Sequence, residues 1–417
     1  MDLSAYADSS RLGNAAGSLT ATVDVAAERA RTIGAAHSHH LNSAGSALPP
    51  ATVVDAVVAY LRREEKAGGY EASAACAADV EAIYALAARV VGATADEIAL
   101  VDSATTGLRV IVDALRLGRS ARLLVSRSTY VSHALHLLGI AAEGGVELVI
   151  VPNGEDGGLD PARLEELLAA GGGHDVVCVA HIPTSSGLVE PVVEIGALTR
   201  RYGARYLLDA TQSVGQLPVD VDEIGCDALV TTGRKFLRAP RGTGFAYVRR
   251  SLLETLAPVA PDVRGAVWSG EREWELAATA RRFETWESSV AGRLGLGVAL
   301  EELLARGVEV TADHLVATAA ALRTGLAAID GVTIRDPAAC ASGIVTFTVD
   351  GLTAEDVRRR LAEQSVRTVS VPSSHGQWDL GFRGVPAVVR ASVHVYNDSG
   401  DTEALLAAVA AIAGAHR

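Results

Sequence analysis

Short apolar runs alternate with amphipathic stretches through the middle of the chain. Runs of this length, bounded by turn residues, are typical of strands buried on both faces, and the stretches between them have helical spacing. The alternation predicts an α/β fold in which a mainly parallel sheet lies between helices. The predicted strands are Ile98–Val101, Arg122–Ser126, Glu147–Val151, Val176–Ala180, Arg205–Leu208, Ala228–Thr231 and Phe245–Val248. The predicted helices between them start at Thr105 or lie near Ser132–Ile140, Asp160–Ala170 and Val193–Tyr202.

The segments on either side of this sheet predict the domain organisation. Residues 1–40 are polar and Ala-rich and are interpreted as an N-terminal arm, and residues 41–290 as a large domain. Residues 291–417 are interpreted as a smaller C-terminal α/β domain. The large domain should open with a helix after Pro50, whose apolar stripe is Val53, Val57, Tyr60 and Leu61, and a second helix near Ala74–Val91. The small domain should contain a linking helix near Ala291–Leu304, strands near Ile344–Val349, Thr368–Val371 and Val389–Ser392, and helices near Ala354–Glu363 and Thr402–Ala413.

The composition narrows the class of protein. Apolar residues make up 49% of the 417 positions, enough for a large core, and the formal net charge is −13. An acidic surface disfavours nucleic acid and anionic membranes as partners. The four cysteines are widely spaced without a CxxC pair, so neither a zinc site nor a redox pair is predicted. We expect no signal peptide and no membrane span, and therefore a cytoplasmic protein with reduced cysteines.

Two residues carry the strongest chemical signal. An apolar strand ends on a lone acid, Asp209, and Lys235 follows 26 positions later, just before the Gly-rich turn Arg241–Gly244. Pyridoxal phosphate chemistry needs a lysine that forms a Schiff base and a carboxylate that keeps the pyridine nitrogen protonated. The competing interpretation is a helix-capping Asp and a surface Lys. The order and spacing of the pair favour a site for pyridoxal 5′-phosphate.

The segment from Asp209 to Gly244 resembles the class V aminotransferase family, which includes cysteine desulfurases and related carbon–sulfur lyases. The resemblance rests on the aspartate, on Gln212 three residues later, and on Lys235 after Thr232-Gly233-Arg234. It extends from about Leu41 to the C-terminal helix. It implies a fold type I pyridoxal-phosphate enzyme with a large and a small domain, which works as a homodimer on an amino-acid substrate.

The resemblance also implies roles for individual residues. Ala104 and Thr105 align with the turn that cradles the cofactor phosphate, although Ser103 could simply cap this helix. Tyr130 aligns with the residue that stacks on the pyridine ring, and could equally be a core tyrosine. The remaining matches are Thr184 near the cofactor phenol oxygen, Gln212 near that oxygen or the phosphate, Thr232 at the phosphate, and Asn42 and Arg390 at the substrate, Arg390 gripping its α-carboxylate.

Several positions depart from the family pattern. Arg234 stands where desulfurases usually have histidine, and because a guanidinium cannot shuttle protons, we expect Arg234 to bind the cofactor phosphate or an acidic group of the substrate. Trp286 and Glu287 replace a Gly-Thr pair that in relatives reaches the phosphate of the other subunit. The loop Val371–Asp379 contains no cysteine, whereas persulfide-forming desulfurases carry one there. The tract His37–His40 has a metal-like composition but no Cys or carboxylate beside it in sequence, so no metal is predicted.

The sequence leaves the reaction open between several outcomes. β-Elimination from a cysteine-derived substrate ranks ahead, because carbon–sulfur lyases of this family share the Arg-Lys pair at positions 234 and 235 and a segment like Gly68–Glu71. Transamination and epimerisation, as in relatives of isopenicillin N epimerase, are the alternatives within enzymes. A non-catalytic assembly subunit is the alternative outside them, and the intact pair Asp209 and Lys235 argues against it.

Overall fold

The computed structural model describes residues 22–416, and its centre is a twisted sheet covered by helices on both faces. In chain order the strands are β1 His39–His40, β2 Ile98–Val101, β3 Arg122–Val125, β4 Glu147–Ile150, β5 Asp175–Ala180, β6 Arg205–Asp209, β7 Ala228–Thr232, β8 Gly244–Val248, β9 Ala266–Gly270, β10 Glu273–Leu276, β11 Val332–Ile334, β12 Ile344–Val349, β13 Val366–Arg367, β14 Val369–Pro372 and β15 Ala387–Ser392.

Helices connect most of these strands. In chain order they are α1 Val25–Ala30, α2 Ser43–Ser46, α3 Ala51–Ala67, α4 Gly69–Ala75, α5 Ala77–Val91, α6 Ala104–Ala114, α7 Val131–Gly144, α8 Pro161–Ala169, α9 Val192–Tyr202, α10 Val221–Ile224, α11 Arg250–Leu253, α12 Val290–Arg306, α13 Val308–Ala327, α14 Ala354–Glu363 and α15 Ser399–Gly414. Single 3₁₀ or π-helical turns lie at Ile33–Ala36, Ala95–Glu97, Ala280–Phe283, Ser373–His375 and Gln377–Gly381.

The large sheet has the strand order β2-β8-β7-β6-β5-β3-β4 within the described residues. The strands from β7 to β4 run parallel, and β8 pairs antiparallel with both β2 and β7. Successive side chains of β6 enter opposite cores, with Tyr206 and Leu208 in one core and Leu207 in the other. Burial on both faces explains why these strands are continuous apolar runs instead of alternating ones. The predicted fold class, α/β with a mainly parallel sheet between helices, is confirmed.

A second sheet lies in the C-terminal third of the chain. Its order is β11-β12-β15-β14 with antiparallel pairing throughout. Helices α13, α14 and α15 cover it and share a separate hydrophobic core with its strands. Phe236 and Leu41 join this core, so the stretch after Lys235 contacts the small sheet directly. The domain limits near residues 40 and 290 stay predictions, and helix α12 packs against α3 and α5.

Some predicted elements differ from those observed. The single helix expected near Ala74–Val91 is divided at Cys76 into α4 and α5. The sequence pattern did not predict α13 or the hairpin β9–β10. The tryptophans of the hairpin, Trp268 and Trp274, are exposed and do not pack on the core. The hairpin lacks a buried face in the single chain, so its sequence lacks the apolar alternation by which strands are recognised.

The described part of the predicted arm packs on the rest of the chain, and residues 1–21 of the arm and Arg417 lie outside the described residues. His39 contacts Asp401 through Nδ1 at 2.9 Å, and His40 contacts the Tyr396 hydroxyl at 3.0 Å. Strand β1 pairs in parallel with β13. These contacts give the histidines of the arm structural partners on the small domain.

The stretch Ser43–Ala67 has enough apolar residues for a membrane-crossing segment by length and composition, with a mean hydropathy of 1.3. Core helices of soluble proteins reach the same value. The stretch is divided by Pro49 and Pro50 into α2 and α3, since proline cannot continue the hydrogen bonding of a helix interior. The apolar character comes partly from the exposed row Val54, Val58 and Leu61, so Leu61 lies outside the buried stripe formed by Val53 and Tyr60.

Candidate active site

A cavity of about 310 Å³ opens at the carboxyl ends of the central parallel strands. Strands β5, β6 and β7 end together there, since Ala180 is level with Asp209 and β7 finishes at Thr232. Ligands in open α/β sheets bind beyond these strand ends. The cavity is lined by every cofactor-binding residue predicted from the sequence: Ala104, Thr105, Tyr130, Thr184, Asp209, Gln212, Thr232, Arg234 and Lys235.

The turn that carries Lys235 is fixed by close backbone packing. Gly233 donates its NH to the Thr243 carbonyl at 2.7 Å, and a Cβ on Gly233 would lie 2.3 Å from the Thr243 hydroxyl oxygen. Gly215, with φ of +92°, lies against Phe236, where a Cβ would come within 2.6 Å of the backbone. Both glycines are therefore required by close approach, which holds the stretch before and after Lys235 in one position.

Lys235 is a buried amine in a cationic environment. Its side chain lies beside Tyr130, with Nζ 5.8 Å from the ring centroid. Burial, and then the charges of Arg234 and Arg390, lower the pKa of Lys235 to about 7, although Asp209 acts in the opposite direction. An amine with this pKa is partly neutral near pH 7, and the neutral form is the nucleophile that attacks a carbonyl carbon. Lysine occurs in the chain only at positions 66 and 235, and Lys66 is exposed on α3.

Asp209 is the last residue of β6 and is almost completely buried. Its Oδ1 accepts the NH of Thr211 at 3.0 Å, and its Oδ2 lies 3.0 Å from Nδ1 of His133. Burial alone would raise the pKa of Asp209, but the charge and hydrogen bond of His133 together with Thr211 outweigh it and hold the pKa at about 2. The carboxylate is therefore charged at neutral pH, as a partner of a protonated pyridine nitrogen must be.

A helix N-terminus and two hydroxyl groups line another part of the cavity. Helix α6 begins at Ala104, and Ser103 caps it by accepting the NH of Thr106 at 3.1 Å. Capping and phosphate binding were competing interpretations of this turn, and the structure shows that the cap is made while Ala104 and Thr105 still line the cavity. Thr232 and Arg241 line it as well. This combination suits a phosphate group.

Arg390, on β15, connects the small sheet to the cavity. It is buried, and its Nη1 donates to the hydroxyl of Thr184 at 2.6 Å, while Nη2 reaches Oδ1 of Asn42 at 3.4 Å. Its Nε has no hydrogen-bond partner in the part of the chain that the structure describes. The two residues predicted to bind substrate, Asn42 and Arg390, therefore lie together and contact the cavity through Thr184, although neither of them lines it directly.

Arg234 contacts the N-terminal segment. Its Nη1 donates to the carbonyl of Gly45, and burial followed by the charge of Arg241 lowers its pKa. With Lys235 and Arg390 nearby, these side chains concentrate positive charge in a protein of net charge −13. A local field of this sign suits the two anions that the site is predicted to bind, a phosphate and an α-carboxylate.

The lining of the cavity fits pyridoxal phosphate. A lysine amine, a charged carboxylate, an aromatic ring and a helix N-terminus surround one space, and each matches a different part of the cofactor. Two buried polar atoms, Oε1 of Gln212 and Oγ1 of Thr211, line it without a hydrogen-bond partner among residues 22–416. Unpaired buried polar atoms are costly, so a polar ligand in this cavity would relieve them.

Some residues of the site were not predicted from the sequence. His133 and Arg241 line the cavity, and neither was predicted to be a site residue. His133 had one available signal, a polar residue one helical turn after Tyr130 within an apolar helix. The sequence indicated Arg241 only as the first residue of the Gly-rich turn Arg241–Gly244. Trp286 and Glu287 do not line this cavity and are exposed, beside a separate cleft formed with Arg264, Arg281 and Arg293.

Comparison with known proteins agrees with this geometry. The sequence profile of the family described as Aminotransferase class-V matches residues 39–405. A probable cysteine desulfurase of Methanothermobacter thermautotrophicus is 27% identical over 383 residues, which cover 90% of this chain and 94% of the relative.

Solved structures share the fold over nearly the whole chain. The apo structure of a cysteine desulfurase from Thermococcus onnurineus NA1 gives a TM-score of 0.87 at 22% identity, covering 95% of this chain and 100% of the other. The cystine C–S lyase C-DES with its product cysteine persulfide gives 0.82 at 24% identity, covering 91% and 99%. A C-DES mutant with glycine covalently linked to the PLP cofactor gives 0.83 at 24% identity, covering 92% and 98%.

Proposed function

This chain belongs to the class V aminotransferase family and is a fold type I enzyme whose cofactor is pyridoxal 5′-phosphate, and from that premise we propose that it catalyses β-elimination on a cysteine-derived amino acid. The bond between Cβ and sulfur breaks, sulfur leaves with the bonding electrons, and hydrolysis of the organic product yields pyruvate and ammonia. No cysteine of the enzyme takes up the sulfur.

The residues in and beside the cavity have separate roles in the reaction. Bound pyridoxal phosphate delocalises the negative charge that develops at the substrate α-carbon. Arg390 binds the α-carboxylate through its guanidinium, which Thr184 and Asn42 hold in place. Lys235, with a pKa lowered to about 7 by burial, removes the proton from the α-carbon at neutral pH. Asp209 keeps the pyridine nitrogen protonated.

The observation that carries the proposal is the position of the cysteines, since none of Cys76, Cys178, Cys226 and Cys340 lines the cavity. The loop Val371–Asp379 contains none. Burial raises the pKa of Cys178 and of Cys226 to about 12, and burial also raises the pKa of Cys340. The thiolate is the nucleophile in sulfur chemistry, so these thiols are poor acceptors of sulfur from a substrate. The similarity to C-DES, described as a cystine C–S lyase, supports the same class of reaction.

A homodimer is part of the proposal. Helix α3 presents the row Val54, Val58 and Leu61 to solvent, and the hairpin β9–β10 presents Trp268 and Trp274. Groups of exposed apolar residues mark interaction surfaces, and closed two-fold dimers are the commonest assembly of soluble proteins. The cytoplasmic location and the absence of nucleic acid and membrane partners stay predictions.

A product assay separates the proposed reaction from its alternatives. Purified holoenzyme is incubated with cystine, cysteine, S-substituted cysteines, cysteine sulfoxides and other amino acids. Elimination gives pyruvate with ammonia, transamination gives a keto acid with aminated cofactor, and epimerisation gives the D-amino acid. Pyruvate and ammonia from a cysteine derivative is the expected result, and either other product pattern would overturn the elimination.

A cysteine-free enzyme tests the absence of a persulfide step. The variant combines Cys76→Ser, Cys178→Ala, Cys226→Ala and Cys340→Ser, and it should retain the reaction. The buried changes at 178 and 226 leave small cavities that cost on the order of 1 kcal/mol each, so thermal stability and cofactor loading serve as controls. A folded, loaded and inactive variant, together with a sulfur adduct on a wild-type cysteine, would establish the desulfurase mechanism instead.

A further inference from the structure

The pair formed by Asp209 and His133 is buried beneath the cavity. Nδ1 of His133 lies 3.0 Å from Oδ2 of Asp209, and His133 is 2% exposed. The second oxygen of Asp209 accepts the NH of Thr211. A buried carboxylate whose oxygens are both engaged by protein groups has its orientation fixed before any ligand binds.

The start of helix α7 places His133 at this position. The helix begins at Val131, and the NH of His133 donates to the carbonyl of Tyr130 at 2.9 Å. The rings of Tyr130 and His133 meet edge to face, with centroids 6.2 Å apart and an interplanar angle of 89°. One helical turn therefore supplies both the aromatic ring that lines the cavity and the imidazole that holds the carboxylate.

The negative charge of Asp209 fixes the direction of its hydrogen bond with His133. A charged carboxylate only accepts hydrogen bonds, so Nδ1 of His133 carries the hydrogen. Nε2 of His133 has no partner within the described residues. Among the described residues, the imidazole of His133 therefore contacts the ring of Tyr130 and makes its one polar contact with Asp209.

We propose that His133 is a positioning residue that holds Asp209 charged and aimed at the pyridine nitrogen of the cofactor. A carboxylate deprived of the imidazole would keep the Thr211 NH but would rotate more freely and bind a proton more readily. The pyridine nitrogen would then lose part of its charged partner. The inference rests on the cofactor and not on β-elimination, so it holds whichever reaction the enzyme performs.

Three variants separate positioning from simple structural support. His133→Phe keeps the ring shape and removes the donor. His133→Asn places an amide NH near the position of Nδ1 and should restore most of the function. His136→Asn is the matched control, because His136 lies on the same helix and contacts Asp113 through Nε2 at 2.8 Å, away from the cavity residues.

The readouts are cofactor affinity, the pH dependence of the visible absorption spectrum, and kcat and KM measured separately. His133→Phe should weaken cofactor binding and lower kcat by about tenfold to a hundredfold each, the range for a lost hydrogen bond to a charged group. KM should change little, since Arg390 holds the substrate. The spectrum should titrate at a different pH, whereas the spectrum of His136→Asn should match that of wild type.

A double-variant cycle gives the decisive outcome. If His133 acts through Asp209, then His133→Phe should have little further effect on cofactor affinity in an Asp209→Asn background. Additive effects, or a wild-type spectrum and cofactor affinity in His133→Phe, would overturn the proposal. If His133→Phe does not fold, NMR of labelled histidine in the apoenzyme replaces it. Asp209→Asn should then shift the His133 ring signals, and unchanged signals would equally overturn the proposal.

Discussion

Arg238 and Glu28 form a buried ion pair that joins the turn after Lys235 to the N-terminal segment. Nη1 of Arg238 lies 2.8 Å from Oε2 of Glu28, and both side chains are less than a tenth exposed. Glu28 also pairs with Arg31 and Arg306. Arg238 adopts a left-handed backbone conformation with φ of +61°, which is unfavourable for a residue with a Cβ. The ion pair therefore holds a strained turn three residues from the catalytic lysine.

Removing the charge of Glu28 should destabilise the protein. Burial acts against the charged form, but the hydrogen bond from Arg31 and the charges of Arg306 and Arg238 hold the pKa of Glu28 at about 2. Glu28→Gln leaves Arg238 and Arg306 without the counter-charge of Glu28, whereas Arg31 keeps Glu302, and breaking a buried pair from one side costs about 3 to 5 kcal/mol. Because the folded-state pKa lies below the unfolded value, the wild-type advantage is full above the unfolded pKa and decreases as the pH falls toward 2.

Urea unfolding of both proteins from pH 7 down to about pH 3 measures this difference, because the advantage declines only below the unfolded pKa of the carboxyl group. Glu65→Gln is the matched control, because Glu65 pairs with Arg62 on the surface, where both side chains are more than half exposed. An exposed pair contributes about 1 kcal/mol at most. A Glu28→Gln protein as stable as the control at pH 7 would contradict the importance of this ion pair.

Replacing Lys235 should stabilise the apoenzyme while abolishing its chemistry. The folded pKa of Lys235 is lowered to about 7 by burial, so the unfolded chain binds more protons between pH 7 and the ordinary lysine value. Wild-type stability therefore rises with pH across that window. Lys235→Met should be more stable by about 2 to 4 kcal/mol at pH 7, and the gain should disappear toward pH 10. Equal stability of the two apoproteins at pH 7 would contradict the lowered pKa.

Borohydride reduction identifies the lysine that holds the cofactor. Reduction of the Schiff base followed by mass spectrometry should place the cofactor on the peptide containing Lys235. Lys66 is the internal control, because it is the other lysine of the chain and is exposed. A reduced holoenzyme labelled at Lys66, or Lys235→Met with an unchanged visible spectrum, would refute the assignment.

Arg390 should determine substrate affinity more than the rate of the chemical step. Arg390→Lys keeps a positive charge but loses the planar fork that holds Thr184 and Asn42, so KM should rise about tenfold to a hundredfold with a smaller fall in kcat. Arg367→Lys, at an exposed position of β13, should leave both constants unchanged. An unaltered KM in Arg390→Lys would exclude carboxylate binding by this residue.

The exposed row on α3 should lie in a subunit interface. Val58 is 47% exposed in the single chain, so Val58→Glu would cost little in a monomer but would bury a charge in a dimer. Sedimentation should show a dimer for wild type and for Val58→Thr, which keeps the side-chain shape, and dissociation for Val58→Glu. A monomeric and fully active wild-type enzyme would exclude the dimer.

The sequence predicted the strands of the large sheet within one or two residues. Most are short apolar runs buried on both faces, with the edge strand β4 partly exposed, and such runs have few alternative structures in a chain of alternating helices. The same reasoning failed for the hairpin β9–β10, because its tryptophans are exposed and leave no periodic pattern. It also failed at Cys76, where two helices meet in a stretch rich in alanine, a residue that fits either helix.

The sequence by itself determined the cofactor chemistry, because Asp209 ends β6 and Lys235 follows the neighbouring strand β7 only 26 positions later. Only the tertiary structure decided how distant residues contact one another around the site. His133 reaches Asp209 from another helix, Arg390 reaches Thr184 and Asn42 from the small sheet, and Glu28 holds Arg238 from the N-terminal segment. Such contacts join residues far apart in sequence, so local spacing and periodicity contain no information about them, whereas packing of the folded chain fixes them.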